Sequence, residues 1–93
     1  MFTWLNKQGV ESDEGFVVQV ASRSRIEYRE GGRKITIPIS EGFVGPRPAV
    51  YIGREVFAHW DGDPARLASA EQTRLLENFK RAMDFQGVAV LLT

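Results

Sequence analysis

Gly31-Gly32 constrains this chain more than any other pair of neighbours. Two glycines between strand-like runs tolerate the positive φ of a two-residue type I′ turn, and such a turn fixes the register of the strands on both sides. Counting outward pairs Glu30 with Arg33, Arg29 with Lys34, Tyr28 with Ile35, Glu27 with Thr36 and Ile26 with Ile37. Every large apolar side chain then falls on one face, with Arg25, Glu27, Arg29, Lys34 and Thr36 on the other. A slip of one residue would set Ile26 and Tyr28 against polar neighbours, so turn chemistry and apolar pattern agree. Pro38 supplies no ladder donor and marks a sheet edge, a bulge or the end of pairing.

The rest of the chain is read outward from that hairpin. Phe16, Val18 and Val20 alternate as in a strand with one buried face, and Ser22–Ser24 turns the chain. Phe2, Trp4 and Leu5 are placed to add an edge strand or to pack over the core. Glu11–Gly15 reads as a polar turn, and Glu41–Pro48 as an irregular loop rich in glycine and proline. Ala49–Ile52 reads as another strand. Arg54–Trp60 fits one helical turn or a short strand equally well, and Asp61-Gly62-Asp63-Pro64 is a turn. A helix is expected from Ser69 as N-cap, with Gln72 completing a capping box and Gly87 following its end. Gln72, Leu75, Leu76, Phe79, Ala82 and Met83 form its buried stripe, and Glu77 with Arg81 an i, i+4 ion pair. Val88–Leu92, almost without charge, reads as a short strand inside the sheet. The expected architecture is α+β: a mainly antiparallel sheet of about five strands, one C-terminal amphipathic helix (about 69–86) packed on a face, and a final short strand. Residues 1–93 are long enough for one domain.

Charge and cysteine content limit the functions open to such a fold. Twelve Lys and Arg balance twelve Asp and Glu, so no global field draws the chain to nucleic acid or to an anionic membrane. The cations of Arg23–Arg29 are diluted by Glu27, and Tyr28 faces the core, which favours a solvated strand face over a nucleic-acid ribbon. With no cysteine there is no disulfide, no thiolate zinc site and no catalytic thiol. Met1–Val10 lacks an apolar run of signal-peptide length and no segment is apolar for a membrane span, so the expectation is a cytoplasmic protein.

No persuasive catalytic or cofactor set stands out. His59 is the only histidine, and Asp61 and Asp63 beside it read as turn-forming residues more readily than as cation ligands. Gly31-Gly32 precedes a strand, where a phosphate-cradling loop would open a helix. Trp4 and Trp60 read first as core material and second as interface anchors. The expectation is no enzyme, no cofactor and no metal.

The order of these motifs resembles the immunity protein 74 family of bacterial polymorphic toxin systems. The residues that carry the resemblance are Ile26-Glu27-Tyr28-Arg29-Glu30-Gly31-Gly32-Arg33-Lys34, then Glu41, Val50-Tyr51-Ile52, Trp60-Asp61, the helix opened by Ser69 and the closing strand. The match runs over residues 23–92 and departs from the family's pattern at Pro38, before Glu41. The resemblance implies a cytoplasmic protein that binds a cognate toxin domain and silences it by direct contact. A docking surface made by the hairpin tip and the segment near Trp60 is expected, with Arg33, Glu41, Trp60 and Asp61 as contact residues and Tyr28 and Glu30 in support. A rival from another class is a small non-catalytic assembly or homodimerisation domain joined through an exposed strand edge.

Overall fold

The computed structural model describes residues 1–93. The chain is α+β, with eight strands in two sheets and one helix. Strands β1 (Phe2–Asn6), β2 (Gly9–Ser12), β3 (Phe16–Ser22), β4 (Arg25–Glu30) and β5 (Arg33–Pro38) form an antiparallel meander in the order β1-β2-β3-β4-β5. Strands β6 (Ser40–Val44), β7 (Arg47–Ile52) and β8 (Ala89–Leu92) form a second sheet in the order β6-β7-β8, with helix α1 (Ser69–Phe85) connecting β7 to β8.

The hairpin register is the one dictated by the diglycine turn, from Glu30↔Arg33 to Ile26↔Ile37. Gly31 and Gly32 have φ of 60° and 76°, which residues with a Cβ adopt only with strain. Pro38 ends β5, the last strand of its sheet.

Elsewhere the polar pattern misleads. Residues 11 and 12, expected in a turn, belong to β2: Val10 and Ser12 point inward, and Ser12 Oγ accepts the Glu14 N–H at 3.0 Å. A buried serine satisfied by its own turn looks like a turn residue in sequence. Glu41–Pro48 is a hairpin, with β6 and β7 joined at Gly45-Pro46 and paired from Ser40↔Tyr51 to Val44↔Arg47. Gly42 belongs there because a Cβ would come within 2.5 Å of Tyr51 Cε2. Arg54–Trp60 is neither helix nor strand but a run of turns. Strand β8 lies at the edge of its sheet, parallel to β7 and half-buried, rather than inside the sheet.

The helix begins one residue earlier than its side chains suggest. Ala68 is the N-cap, in extended conformation, and makes no side-chain cap; Gln72 Nε2 instead donates to the Leu67 carbonyl at 2.8 Å. The capping box is therefore absent. The other end closes as expected: Gly87 has φ of 80°, its N–H bonds the Asp84 carbonyl and that of Val88 the Met83 carbonyl, both at 2.9 Å, satisfying orphan carbonyls of the last turn. Arg81 does not pair with Glu77; it reaches Glu14 at 2.7 Å and Asn78 Oδ1 at 2.6 Å. Asp84, unfavourably placed for the helix dipole, is paired with Arg47 of β7 at 2.5 Å.

One face of the five-stranded sheet and the apolar stripe of α1 enclose the core. Val10, Phe16, Val18, Ile26, Tyr28, Ile35 and Ile37 meet Leu75, Phe79, Ala82 and Met83, while Val50 and Ile52 extend the cluster from the second sheet and Phe57 and Trp60 from the turns. Phe79 is fully enclosed, with its ring centroid 5.8 Å from that of Phe57. Phe79→Ala is expected to lower the unfolding free energy by about 3–5 kcal/mol, read as a fall in urea midpoint with little change in slope. Leu5→Ala, at an exposed position, is expected to change it by no more than about 0.5 kcal/mol.

Candidate partner-binding surface

Glu30, next to the diglycine turn, is bonded to Arg74 of α1, and the segment after Phe57 runs along the edge of β5, where the Asp61 N–H meets the Lys34 carbonyl. This brings together Tyr28, Glu30, Arg33, Trp60 and Asp61, five of the six residues expected at a docking surface. The sixth, Glu41, lies on β6 in the other sheet.

Two of the five are not available for contact. Tyr28 is fully buried, its ring stacked on Phe16 at 5.5 Å and edge-on to Phe57 at 6.0 Å. Trp60 keeps only 3% of its surface, so the tryptophan expected as an interface anchor is core. The Arg33 guanidinium covers its ring at 4.4 Å from the centroid, a cation–π contact that closes the core with a charge. Trp60 Nε1 is buried without a hydrogen-bond acceptor.

Glu30 and Tyr28 belong to a polar chain that ties hairpin to helix. Tyr28 donates to Glu30 Oε1 at 2.6 Å and accepts from Asn78 Nδ2 at 3.0 Å. Arg74 then grips both Glu30 oxygens, Nη1 to Oε1 at 3.2 Å and Nη2 to Oε2 at 2.8 Å, and donates from Nε to Glu71 at 2.5 Å. Burial works against the charged form of Glu30, but the hydrogen bonds from Arg74 and Tyr28 outweigh it and hold the carboxyl below its ordinary value. Burial, and then the bond to Glu30, push the Tyr28 phenol well above its usual range. Asn78 was not expected from the sequence, because an asparagine between apolar positions looks like the solvent side of a helix. The only sequence signal for it is its place in the same stripe as Leu75 and Ala82.

Asp61 has a different task. Its N–H donates to the Lys34 carbonyl at 2.8 Å, while its carboxylate accepts from the Thr36 N–H at 3.1 Å and from Thr36 Oγ1 at 2.5 Å. It thus occupies one carbonyl and one amide on the outer edge of β5 and stands where a pairing strand would lie. Asp63 Oδ1 accepts the Ala65 N–H at 2.9 Å and His59 Nδ1 lies 3.0 Å from the Ala65 carbonyl oxygen, so both shape the turn. The side chains form no group of three or more histidines and carboxylates placed to hold a metal ion. No helix is long and apolar enough to cross a membrane.

Exposed aromatic surface lies elsewhere, on Phe43 of β6, 71% exposed, and in a group at β1 and the end of α1. Trp4 on β1 is 49% exposed and its ring lies 5.6 Å from that of Phe85, itself exposed at the end of α1; Phe2 completes the group at 5.5 Å from Phe85. The sequence places Trp4 on an edge strand or over the core, and reads it as core first and interface anchor second; it lies on the edge strand β1, half exposed. Phe85, outside the expected apolar stripe of the helix, is not singled out by the sequence.

Comparison with protein-family models, with curated proteins and with solved structures found no match to this chain.

Two outcomes are expected from this geometry. Because Glu30 titrates lower when folded than when unfolded, its contribution to stability is present above its ordinary value near 4.5 and is lost as pH falls through the depressed folded value. Glu30→Gln should flatten that acid limb in urea midpoints measured from pH 7 downward. Asp61→Ala should cost about 1–3 kcal/mol and raise the hydrogen-exchange rate of the Thr36 amide, which loses its only acceptor on that side.

Proposed function

We propose that this chain is an immunity protein that acts in the cytoplasm by binding a cognate bacterial toxin domain and neutralising it through direct protein–protein contact, with no chemistry of its own. Two things support this reading: the resemblance of residues 23–92 to the immunity protein 74 family, and a surface suited to protein recognition. The observation that carries it is the exposed cluster of Trp4, Phe85 and Phe2. Partly exposed aromatic groups of this kind gain most from being covered by a partner, and tryptophan is prominent among residues that dominate interface energetics. Trp4 takes the anchoring role first expected of Trp60. Arg33 is exposed beside the hairpin tip, with Trp60 beneath its guanidinium, while Glu30 and Tyr28 hold the hairpin to the helix.

A second reading uses the same surface. In a small non-catalytic homodimerisation domain, β1 would pair with β1 of another copy. What favours it is that β1 ends its sheet with Trp4 and Leu5 exposed, whereas the opposite edge is closed by Asp61. Mass measured over a range of concentrations separates the two, since a dimer dissociates on dilution and a monomer keeps one mass.

The decisive experiment is co-expression with the C-terminal domain of the product of the neighbouring large open reading frame, the candidate toxin. Growth rescue and a stoichiometric complex are expected, and Trp4→Asp should weaken that complex at least about tenfold while the free variant still unfolds cooperatively in urea. Failure of both rescue and complex formation would overturn the toxin reading.

A further inference from the structure

Between the two sheets runs a cleft of about 580 Å³, within the range of sites that bury a ligand or a peptide side chain. Its floor is apolar, from Val20, Ile26, Ile39, Val50, Met83 and Val88. One wall is β6, of which three consecutive residues, Glu41, Gly42 and Phe43, line the space, so backbone as well as side chains face it. Arg23 stands on the other wall.

Three features of β6 are unexplained by the fold. Cross-strand partners share a face, and Glu41↔Val50 and Phe43↔Pro48 place Glu41 and Phe43 on the side where Val50 and Ile52 enter the core. Phe43 is nevertheless 71% exposed, an aromatic ring on an inward face with nothing opposite it. Glu41 on the same face, and Arg23 across the cleft, form no ion pair. Finally, β6 is an edge strand, and no backbone group of residues 40–44 bonds to anything but β7. The contrast with β5, whose edge Asp61 closes, is direct.

We infer that β6 accepts an extended segment of a protein partner as an added antiparallel strand, with a basic side chain opposite Glu41 and an apolar side chain opposite Phe43 that fills the cleft. An antiparallel neighbour descends in number as β6 ascends, so the apolar residue stands two places before the basic one, an apolar-x-basic pattern. Main-chain bonds to the free edge supply affinity, and the two facing side chains supply selection. A second copy of this chain fits poorly: pairing centred on Gly42 sets Glu41 against Phe43, and pairing centred on Glu41 sets like charges together. The inference does not rest on the toxin reading, since any partner with such a segment would satisfy it.

The test uses the whole protein and a fluorescein-labelled, end-capped peptide, Thr-Thr-Val-Thr-Lys-Thr-Thr, followed by anisotropy and by backbone amide shifts in nuclear magnetic resonance. Saturable binding is expected, with shifts concentrated at residues 40–44, and a peptide with Glu in place of Lys should bind about two- to fivefold more weakly. In Glu41→Lys that preference should reverse, and Phe43→Asp should weaken both peptides; both side chains are exposed, so neither variant threatens the core. A peptide N-methylated at the valine should lose binding: the two-residue turn and Pro48 opposite Phe43 leave the backbone groups of Glu41 and Phe43 pointing away from β7, so the peptide residues opposite them, lysine and valine, must donate to the ladder. No saturable binding up to millimolar peptide, equal binding of the N-methylated peptide, unchanged preference in Glu41→Lys, or shifts confined to β1 or the hairpin tip would each overturn the inference.

Discussion

Tyr28 is the point on which the three parts of this molecule converge. Its ring stacks on Phe16 of the neighbouring strand and meets Phe57 and Trp60 of the turns, while its hydroxyl joins Glu30 of its own strand to Asn78 of the helix. A buried phenol needs partners for its hydroxyl, and each partner here belongs to a wider bond set, so the helix is fixed both along and around its axis. Leu75 and Phe79 give the helix its affinity for the sheet; the Tyr28 hydroxyl gives that packing one orientation. The ion pairs Arg74–Glu30, Arg81–Glu14 and Arg47–Asp84, spaced along α1, reach the hairpin tip, the turn before β3 and the second sheet in turn. Being largely exposed, they set direction more than they add stability.

The sheet edges are treated unequally. Asp61 mimics a neighbouring strand for β5, bonding one carbonyl and one amide of it with its own backbone and side chain. Its residue type is thereby accounted for without any role in contact or catalysis. β1 and β6 receive no such cover, and each also exposes aromatic surface, Trp4 on one and Phe43 on the other. An open backbone edge beside an exposed aromatic ring is hazardous in a free protein and useful in a binding protein.

The parts of the fold that were legible in the sequence are those where local chemistry and burial agree. The diglycine turn gave the hairpin its register to the residue, and the helix with its Gly87 terminus followed from periodicity. Where polar residues lie in strands, reading failed: Ser12 turns inward yet is satisfied by its own turn, and Glu41 and Gly42 look like loop because their strand is short, edged and exposed. The division into two sheets was not legible at all, since strand pattern says which face is buried and not which neighbour a strand takes. Of the candidate site, the gathering of Tyr28, Glu30, Arg33, Trp60 and Asp61 was anticipated, but their roles were not. A tryptophan under an arginine and a tyrosine under an asparagine are internal fastenings, and nothing in a single sequence separates those from contacts with a partner.

The two sheets also differ in how the chain can build them. Each strand of the meander pairs with the one made just before it, across turns of a few residues, so that sheet can grow by successive local steps. The second sheet is complete only when β8 returns to lie along β7, after the turns and the whole of α1 have been laid down between them. Its closure entropy is therefore met late, once the helix has docked. In the same way, β8 leaving β7 would open the smaller sheet while α1 stayed docked on the meander, which makes the wall of the cleft the natural boundary between the part of the fold that closes last and the part that closes first.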